Sequence, residues 1–520
     1  MSDGERERAR AGVVSAVGSI GAATLASRVL GYVRDMVVAR AFGAGPVTDA
    51  FFVAFRIPNL LRRLLAEGAL STAVIPVFSQ YLATAGRAAF LVMVRAVLGA
   101  TTLTLCVVTI AGMLLARAVV TVMAPGWLTD PPLFELAVEL TRLMFPYLLL
   151  VGLAALATGV LNVHGRFFTA ALGPAVLNVG MIAAVLLLAR RYEPPIVSLA
   201  VGVLVGGLGQ LAVQLPEIRR LGVPLRPSGE WRHPAVATIA RRLAPAAFGL
   251  AAVQVTVVVN TLLASLLPRG SISYLYYADR IMEFPLGVFG IALATAALPT
   301  MAAQAARGDR AGLTDTLGFS LRLSAFIALP ATAGLLALGA PIVGLLFQRG
   351  QFGAEDALAT TVALAAYAVG LPAFSATRIV AQTFYALGDT RTPVVLGLLS
   401  VAANVALALA LMWPLAHAGL ALASSLSAYV NGLALLWALR RRLGRLGGRA
   451  LARSVARTAV ATVPLYLVAR ALAPDWDGSA YAAAATLGAV AVGALTFAAA
   501  AALLRAPELG ALLGILRRRR

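Results

Sequence analysis

The chain has 520 residues, of which 60% are hydrophobic and only 12% are charged. Its mean hydropathy is +0.87, whereas about a quarter of the residues in a typical soluble domain are charged, so a soluble multidomain protein is excluded. Apolar segments long enough to cross a hydrocarbon core of about 30 Å recur along the whole chain, without the alternation typical of a membrane β-barrel. We therefore predict an all-α polytopic membrane protein.

Apolar spans and the breaks between them predict about fourteen transmembrane helices. The charged stretch 1–12 precedes the first span without a clear cleavage site, which favours an uncleaved first helix over a signal peptide. The approximate cores of the predicted helices are 13–39, 50–82, 92–116, 134–160, 168–189, 195–215, 243–266, 273–302, 320–340, 357–380, 383–412, 417–437, 458–473 and 480–504.

The net charge of +21 would favour nucleic acid binding in a soluble protein, but many of these arginines lie in short loops between apolar spans. Cytoplasmic loops of membrane proteins retain Arg and Lys, so the excess indicates topology, and we expect no nucleic acid partner. This pattern predicts that both termini are cytoplasmic and that the acidic or neutral loops 124–132 and 473–479 lie outside. Arg190 and Arg191 are exceptions on the outer side. The tail 517–520 is expected to lie on the anionic cytoplasmic leaflet.

An internal repeat is visible at one offset. Residues 69–76 read ALSTAVIP and residues 292–299 read ALATAALP, an offset of 223 that also carries Gly165 onto Gly388. The offset spans six predicted helices, an even number, so the two halves have the same orientation and a site is expected at their interface. The predicted organisation is an N-terminal lobe (1–215), a cytoplasmic linker (216–242), a second lobe (243–437), and a helix pair with a basic cytoplasmic tail (438–520).

Charged residues interrupt three otherwise apolar spans. An ionised side chain at the bilayer centre costs about 2.5–3.5 kcal/mol even on the insertion scale, so these residues are not expected to face lipid. They must line a water-filled cavity or pair with one another. The set consists of Arg28, Arg34 and Asp35 in the first span, Asp49, Arg56, Arg62, Arg63 and Glu67 in the second, and Asp279, Arg280 and Glu283 in the eighth.

Helical geometry partly sorts these charges. Arg62 points away from a narrow stripe on the second span. Arg28 and Asp35, seven residues apart, share a face of the first span. Arg280 has Glu283 three residues further on, so this acid can hold it in place. The stripe on the second span contains Asp49, Arg56, Arg63 and Glu67.

Two interpretations of the charges remain open. In the first, they are buried ion pairs that hold helices together, or side chains that snorkel to the membrane surface. In the second, the guanidinium groups form a cationic cavity for a phosphate-bearing substrate, because their donor geometry matches phosphate oxygens. Asn178, Asn260 and Asn404 lie mid-span, where they either form hydrogen bonds between helices or belong to a site for a coupling ion.

The sequence contains no pattern for covalent chemistry. It has no GxxxxGK[ST] phosphate-binding loop and no nucleophile–base constellation, so we expect no enzymatic activity. Cys106 is the single cysteine, and the three histidines are scattered, so no disulfide and no metal site are expected. The glycine-rich segment 202–209 lies in an apolar span and indicates close helix packing.

Six long segments resemble the MurJ/MviN family of lipid II flippases. The family belongs to the superfamily of multidrug, oligosaccharidyl-lipid and polysaccharide exporters (the MOP superfamily). The resemblance therefore implies fourteen helices in two lobes plus a C-terminal pair. It also implies transport of lipid II, an undecaprenyl-diphosphate with a disaccharide-pentapeptide, from the inner to the outer leaflet of the bacterial cytoplasmic membrane by alternating access. The segments are 27–82, 254–265 (QVTVVVNTLLAS), 276–299, 346–357 (LFQRGQFGAEDA), 384–395 (FYALGDTRTPVV) and 416–431.

The resemblance also implies residue roles. The arginines expected to bind the diphosphate of lipid II are Arg28, Arg34, Arg62 and Arg280. The residues expected to position them or to gate the cavity are Asp35, Asp49, Arg56, Arg63, Glu67, Asp279 and Glu283. The C-terminal helix pair resembles a groove proposed for the prenyl tail. Some members have an Asp, linked to sodium coupling, where this chain has Asn260. No cofactor is expected, and the driving force is open between sodium, protons and the membrane potential.

Other functions also fit parts of this pattern. A flippase for another lipid-linked oligosaccharide would also handle a diphosphate. A cationic drug exporter would have acids in its cavity without the arginine excess, which argues against it. A non-transporting scaffold that recruits cell-wall enzymes would not need the intramembrane charges. The cell-wall synthesis machinery is an expected partner of a lipid II flippase.

Overall fold

The computed structural model describes residues 24–62, 70–224 and 226–517, and all regular structure in these ranges is helical. Contacts divide the chain into two compact units, Met1–Leu266 (unit 1) and Leu267–Arg520 (unit 2). The helices of unit 1 are α1 (24–42), α2 (Pro46–Arg62), α3 (Leu70–Thr84), α4 (Gly86–Leu114), α5 (Ala116–Met123), α6 (Pro131–Met144), α7 (Pro146–Val163), α8 (Phe167–Ala171), α9 (Gly173–Leu188), α10 (Val197–Arg220) and α11 (Pro234–Ser265). Those of unit 2 are α12 (Ser271–Pro285), α13 (Ala292–Ala306), α14 (Arg310–Phe347), α15 (Ala354–Ala368), α16 (Leu371–Ala386), α17 (Arg391–Leu443), α18 (Gly448–Ala471), α19 (Ala480–Leu503) and α20 (Pro507–Arg517).

Seven helical segments in the described ranges are long and apolar enough to cross a membrane, and the bent pair α15–α16 would form an eighth span. One of the seven, α17, is 53 residues long and contains two predicted spans, because Ala416 (φ 48°) breaks its helical backbone. The remaining predicted spans correspond to shorter or more polar helices, including α2 and α12. In the described part of the chain, each of the fourteen predicted spans coincides with helix. Residues 13–23 of the first span and 63–69 of the second lie outside the described residues.

The turn between α16 and α17 corrects one predicted boundary. The predicted cores 357–380 and 383–412 place the break too early, since α16 continues to Ala386 and Gly388 turns the chain with φ 74°. Asp389 then caps α17: one carboxylate oxygen accepts from the backbone N–H of Thr392 at 3.0 Å, and the other accepts from its hydroxyl at 2.6 Å. These hydrogen bonds, together with the charge of Arg442, lower the pKa of the Asp389 carboxyl. The segment FYALGDTRTPVV is therefore a helix–turn–helix junction.

The turn between α14 and α15 has a similar basis. Phe352 is buried, and its ring packs against those of Phe347 and Tyr277 at centroid distances of 5.9 and 5.4 Å. Asp356, in the first turn of α15, accepts a hydrogen bond from the backbone N–H of Gly353 at 3.1 Å, which satisfies a donor at the helix start. The segment LFQRGQFGAEDA thus combines an aromatic anchor with a helix cap.

The internal repeat extends through the helix order. A shift of 223 residues carries α6 onto 354–367, within α15, and carries the end of α7 onto Ala386, where α16 ends. Gly165 and Gly388 follow these two helices, with φ 73° and 74°. The same shift carries α1 onto 247–265, the C-terminal part of α11, although α11 packs within unit 1 against α3, α4 and α5. The compact units therefore divide after α11, and the lobe boundaries 1–215, 216–242, 243–437 and 438–520 stay a prediction.

Glycines allow α9 and α10 to approach closely. A Cβ on Gly180 would lie 2.7 Å from the Cα of Gly206, and a Cβ on Gly206 would lie 2.9 Å from the Cα of Leu177. Both neighbouring atoms belong to the backbone and cannot rotate away. The prediction that the segment 202–209 packs helices together is confirmed.

We expect Gly206→Val to destabilise the protein by about 1–3 kcal/mol, because overpacking at a close helix crossing forces the backbones apart. The measurement is the thermal unfolding midpoint of the purified protein in detergent. Gly397→Val is the matched control, since a Cβ on Gly397 meets nothing within 4 Å. Equal midpoints for the two variants would contradict this account of the crossing.

Candidate functional site

A buried ion pair lies on α1 in unit 1. The Nε and Nη2 atoms of Arg34 donate to one carboxylate oxygen of Asp35 at 2.9 and 2.6 Å. The side chain of Arg34 is 12% exposed and that of Asp35 is 2% exposed. Removing two charges from water is costly unless they are paired and hydrogen-bonded. The pairing therefore offsets part of the cost of burying both charges in the helix bundle.

Asn178 on α9 connects this ion pair to a second turn of α1. Its side-chain oxygen accepts from Arg34 Nη1 at 3.1 Å, and its amide nitrogen donates to the backbone carbonyl of Ser27 at 3.2 Å. Ser27 and Arg34 are seven residues apart and thus share one face of α1. For Asn178, the interpretation as a hydrogen bond between helices is confirmed. The guanidinium of Arg34 is oriented from two sides, by Asp35 and by Asn178.

The described charged residues of α2 lie in three different environments. Asp49 is 2% exposed and lies in the first turn, where the helix dipole favours a negative charge. Arg56 donates to the hydroxyl of Thr261 on α11. Arg62, in the last turn, donates through Nε and Nη2 to the side-chain oxygen of Asn59 at 3.0 and 2.9 Å. Arg63 and Glu67 lie outside the described residues.

The contact between Arg56 and Thr261 joins α2 to α11. Thr261 is fully buried, and its hydroxyl also donates to the backbone carbonyl of Val257 at 2.6 Å. We expect Thr261→Val to destabilise the protein by about 1.5–3 kcal/mol, the range for a hydrogen bond to a charged group.

The unfolding midpoint in detergent checks this prediction. Thr121→Val is the control, because the hydroxyl of Thr121 is exposed and bonds only to the carbonyl of Arg117 at 2.9 Å, one turn earlier in α5. A midpoint for Thr261→Val as high as that of the control would show that the hydroxyl of Thr261 does not stabilise the contact between α2 and α11.

In unit 2, the predicted residues lie on α12. Arg280 Nη1 donates to Glu283 at 3.2 Å, and the two side chains are 25% and 47% exposed. This pair is the one expected from their spacing of three residues. Asp279 precedes it and is half-buried. Arg280 is thus held by its own helix and remains partly accessible to solvent.

Arg378 is a candidate site residue that the sequence analysis did not identify. It lies in the middle of α16, its side chain is exposed, and it interacts electrostatically with Glu283 of α12. The signal was present, because an arginine inside an apolar span is costly and generally functional. Arg378 is the one charged residue of the predicted span 357–380, and it lies near the end of that span, where charged side chains often reach the membrane surface. In unit 2, Glu283 therefore interacts with two arginines.

A family model described as "Lipid II flippase MurJ" matches residues 38–486 of this chain. The chain belongs to the MurJ family of lipid II flippases. The probable lipid II flippase MurJ of Vibrio cholerae is 39% identical over 425 residues, which cover 80% of this chain and 81% of the relative. The lipid II flippase MurJ of Burkholderia cenocepacia is 38% identical over 424 residues, covering 81% and 82%.

Solved structures support the same fold. A structure titled "Lipid II flippase MurJ, inward closed conformation" aligns with a TM-score of 0.79, covers 93% of this chain and 98% of its own, and is 23% identical. An inward-facing multidrug resistance transporter of the MATE family, in the MOP superfamily, aligns with a TM-score of 0.63 over 81% of this chain and 96% of its own. Its identity is 16%, so this second match concerns the fold alone. The predicted all-α helical bundle of the MurJ type is confirmed.

Against the expectations for the MurJ family, the predicted site residues fall into three groups. Arg34 and Arg280 are each held by an acid within their own unit. Arg56 and Arg62 contact uncharged polar groups, and Arg28 is exposed on α1. Ion pairing and a cationic site are thus compatible, because the acids that pair with the arginines also orient them.

The described residues contain no group of three or more His, Cys, Asp or Glu side chains that could hold a metal ion. Each histidine contacts nearby backbone instead: His164 the carbonyl of Val160, His233 the N–H of Ala235, and His417 the carbonyl of Ala359.

Among the other mid-span polar residues, Asn404 donates to the hydroxyl of Ser424 at 3.4 Å. This contact joins the two halves of α17, which lie on either side of Ala416. Asn404 thus forms a contact between helical segments.

Proposed function

We propose that this chain is a lipid II flippase of the bacterial cytoplasmic membrane, which moves the undecaprenyl-diphosphate-linked peptidoglycan precursor from the inner to the outer leaflet. The observation that carries this proposal is the MurJ family match over residues 38–486, together with relatives named lipid II flippases at 38–39% identity. A flippase moves its substrate without making or breaking covalent bonds. The protein is therefore a transporter and not an enzyme.

The substrate's diphosphate would be bound by four arginines, namely Arg28, Arg34, Arg62 and Arg280. Guanidinium groups match phosphate oxygens with paired, charge-assisted hydrogen bonds. Arg34 and Arg280 each pair with a carboxylate, so the diphosphate would compete with Asp35 or Glu283 for the same donors. In this proposal the acids orient the arginines while no substrate is bound, and the ion pairs break when the substrate enters. Asp49, Arg56, Arg63, Glu67 and Asp279 support or gate the site.

Transport would follow alternating access, with the head-group site open to one side of the membrane at a time and the prenyl tail remaining in lipid. A charged head group does not cross about 30 Å of hydrocarbon unaided. No cofactor is needed, and the drive would come from a coupling ion or from the membrane potential. Asn260 is uncharged, so a carboxylate-based sodium site at this position is not part of the proposal.

We also propose that both termini lie in the cytoplasm. The arginine-rich segments 440–449 and 517–520 would then face the cytoplasm, and the acidic loop 473–479 would face outward. The expected partners are the cell-wall synthesis proteins that make lipid II on the inside and consume it on the outside.

The test is depletion and rescue in a bacterium whose own lipid II flippase is under repressible control. Growth restored by this chain supports the proposal. The closest alternative is a flippase for another undecaprenyl-diphosphate-linked oligosaccharide. A control strain that lacks such a flippase distinguishes this alternative from the proposed function. Rescue of that control strain, with no rescue of the lipid II strain at equal membrane abundance, would reassign the substrate. Rescue of neither strain would favour the alternative that the chain is a non-transporting scaffold for cell-wall enzymes.

A further inference from the structure

An apolar groove lies on the surface of unit 1, between α4, α7 and the N-terminal third of α11. Its volume is about 200 Å³, and none of its lining residues is charged. The lining includes Val97 and Thr104 of α4, Gly152 of α7, and Ile239 and Ala240 of α11. Thr104 and Ala240 are exposed, so the groove opens to the surroundings of the bundle. We expect an apolar surface on a bundle that spans a membrane to face lipid.

The segment 221–233, between α10 and α11, lies against the first turns of α4. Arg87 Nη2 donates to the backbone carbonyl of Leu221 at 2.8 Å. Further along α4, the backbone N–H of Ser228 donates to the carbonyl of Arg95 at 3.1 Å. These bonds fix the segment beside the end of the groove nearest the N-terminus of α4.

This end of the groove carries a cluster of positive charge. Arg95 precedes the groove residue Val97 by two positions, and its Nε donates to the backbone carbonyl of Arg226 at 3.4 Å. Arg95, Arg226 and Arg232 are all exposed, and Glu230 is the single acid of the segment 221–233.

The segment 221–233 also contains an exposed aromatic residue next to Arg232. Trp231 is 49% exposed, and tryptophan is enriched at the membrane–water interface. Two further arginines, Arg241 and Arg242, are exposed on α11 between the groove residues Ala240 and Leu243. From the groove to the segment 221–233, the protein surface thus changes from apolar to aromatic and cationic. This order matches a phospholipid, whose apolar acyl chains are followed by a polar head group.

We propose that this groove binds one anionic glycerophospholipid of the cytoplasmic leaflet. One acyl chain would lie in the groove, and the phosphate would lie beside Arg95 and Arg232. Apolar lining alone would accept any membrane lipid. The excess of arginines at one end selects for negative charge, as basic pockets between helices on the cytoplasmic side do.

This lipid would remain bound as a structural component and is distinct from the transported substrate. The groove residues are separate from Arg34, Arg62 and the other proposed substrate ligands of unit 1. The inference rests on the proposed orientation, in which the segment 221–233 is cytoplasmic. It does not depend on which lipid is transported.

Photocrosslinking tests the proposal on the purified full-length chain in phosphatidylcholine nanodiscs. The probe is a trace of phosphatidylglycerol or of phosphatidylcholine with the same photoreactive acyl chain, and labelled peptides are mapped by mass spectrometry. We expect peptides from 95–105 and 234–243 to be labelled several-fold more by phosphatidylglycerol. Ala240→Phe should fill the groove and reduce labelling by both lipids.

Two double variants examine the contribution of charge. Arg95→Gln with Arg232→Gln should reduce the labelling ratio of the two lipids to near one. Arg190→Gln with Arg191→Gln removes the same charge from exposed positions at the end of α9 and should leave the ratio unchanged. All four positions are exposed, so we expect each variant to fold. The unfolding midpoint in detergent checks this.

Equal labelling of the unmodified chain by both lipids would mean that bulk lipid fills the groove, and it would overturn the proposal. An unchanged ratio in the Arg95 and Arg232 variant would do the same. Since labelling is read without transport, a failure here leaves the flippase assignment intact. A failure of rescue likewise leaves this lipid site intact.

Discussion

Arg34→Ala is expected to abolish rescue of a strain depleted of its lipid II flippase and also to destabilise unit 1. The substitution removes a proposed phosphate ligand together with the guanidinium that pairs with Asp35, whose side chain is 2% exposed. Breaking a buried ion pair by removing one partner typically costs about 3–5 kcal/mol. Loss of rescue by this variant alone would therefore combine a folding defect with a binding defect.

The double variant Arg34→Ala with Asp35→Asn separates the two effects. It removes both charges, so we expect it to recover most of the unfolding midpoint lost by the single variant, while rescue remains absent. Arg34→Lys keeps the positive charge but loses the planar pair of donors, and we expect it to rescue poorly. The measurements are the midpoint in detergent and growth at matched membrane abundance. A double variant that rescues growth would show that Arg34 is structural.

Arg280→Ala is expected to reduce lipid II translocation by about ten- to a hundredfold with little change in stability. Its ion pair with Glu283 is partly exposed, and such pairs contribute about 0–1 kcal/mol. A hydrogen bond from a guanidinium to a charged phosphate contributes about 1.5–3 kcal/mol, and each 1.4 kcal/mol corresponds to about tenfold in affinity. Translocation is measured as the appearance of lipid II in the outer leaflet.

Three further variants define the contribution of this charge. Glu283→Gln keeps Arg280 in place, and we expect it to lower translocation by a few-fold at most. Arg470→Ala removes an exposed arginine of α18 in the same unit and should leave translocation unchanged. Arg378→Ala should fall between Arg280→Ala and this control, because Arg378 shares Glu283 with Arg280. Translocation by Arg280→Ala at the rate of the unmodified chain would remove it from the site.

Hydropathy predicts most of this fold. Helices that span a lipid bilayer must be long and apolar, and most charged residues therefore lie in the loops between them. Two short similar segments were enough to predict the internal repeat. The same offset also aligns helices elsewhere in the chain, because the lengths of corresponding helices are similar in the two halves. The boundary between the tenth and eleventh spans was wrong because mean hydropathy does not detect a turn. That turn depends on the left-handed backbone of Gly388 and on the capping carboxylate of Asp389.

Local spacing predicted the site only in part. It identified the pair of Arg280 with Glu283, because residues three apart meet on a helix. It placed Arg28 and Asp35 on one face, whereas Asp35 pairs with Arg34 in the structure. The guanidinium of Arg34 also binds Asn178 on a helix 144 residues away, and no spacing rule reports a contact between distant helices.

The leaflet accessibility of lipid II in spheroplasts tests the central claim most directly. Cells depleted of their own flippase would express this chain or its Arg280→Ala form at equal abundance, and a reagent that cannot cross the membrane would report outer-leaflet lipid II. The account predicts that the unmodified chain restores outer-leaflet lipid II and that Arg280→Ala leaves it largely inside. Lipid II that stays inside despite abundant, folded, unmodified chain would contradict the assignment.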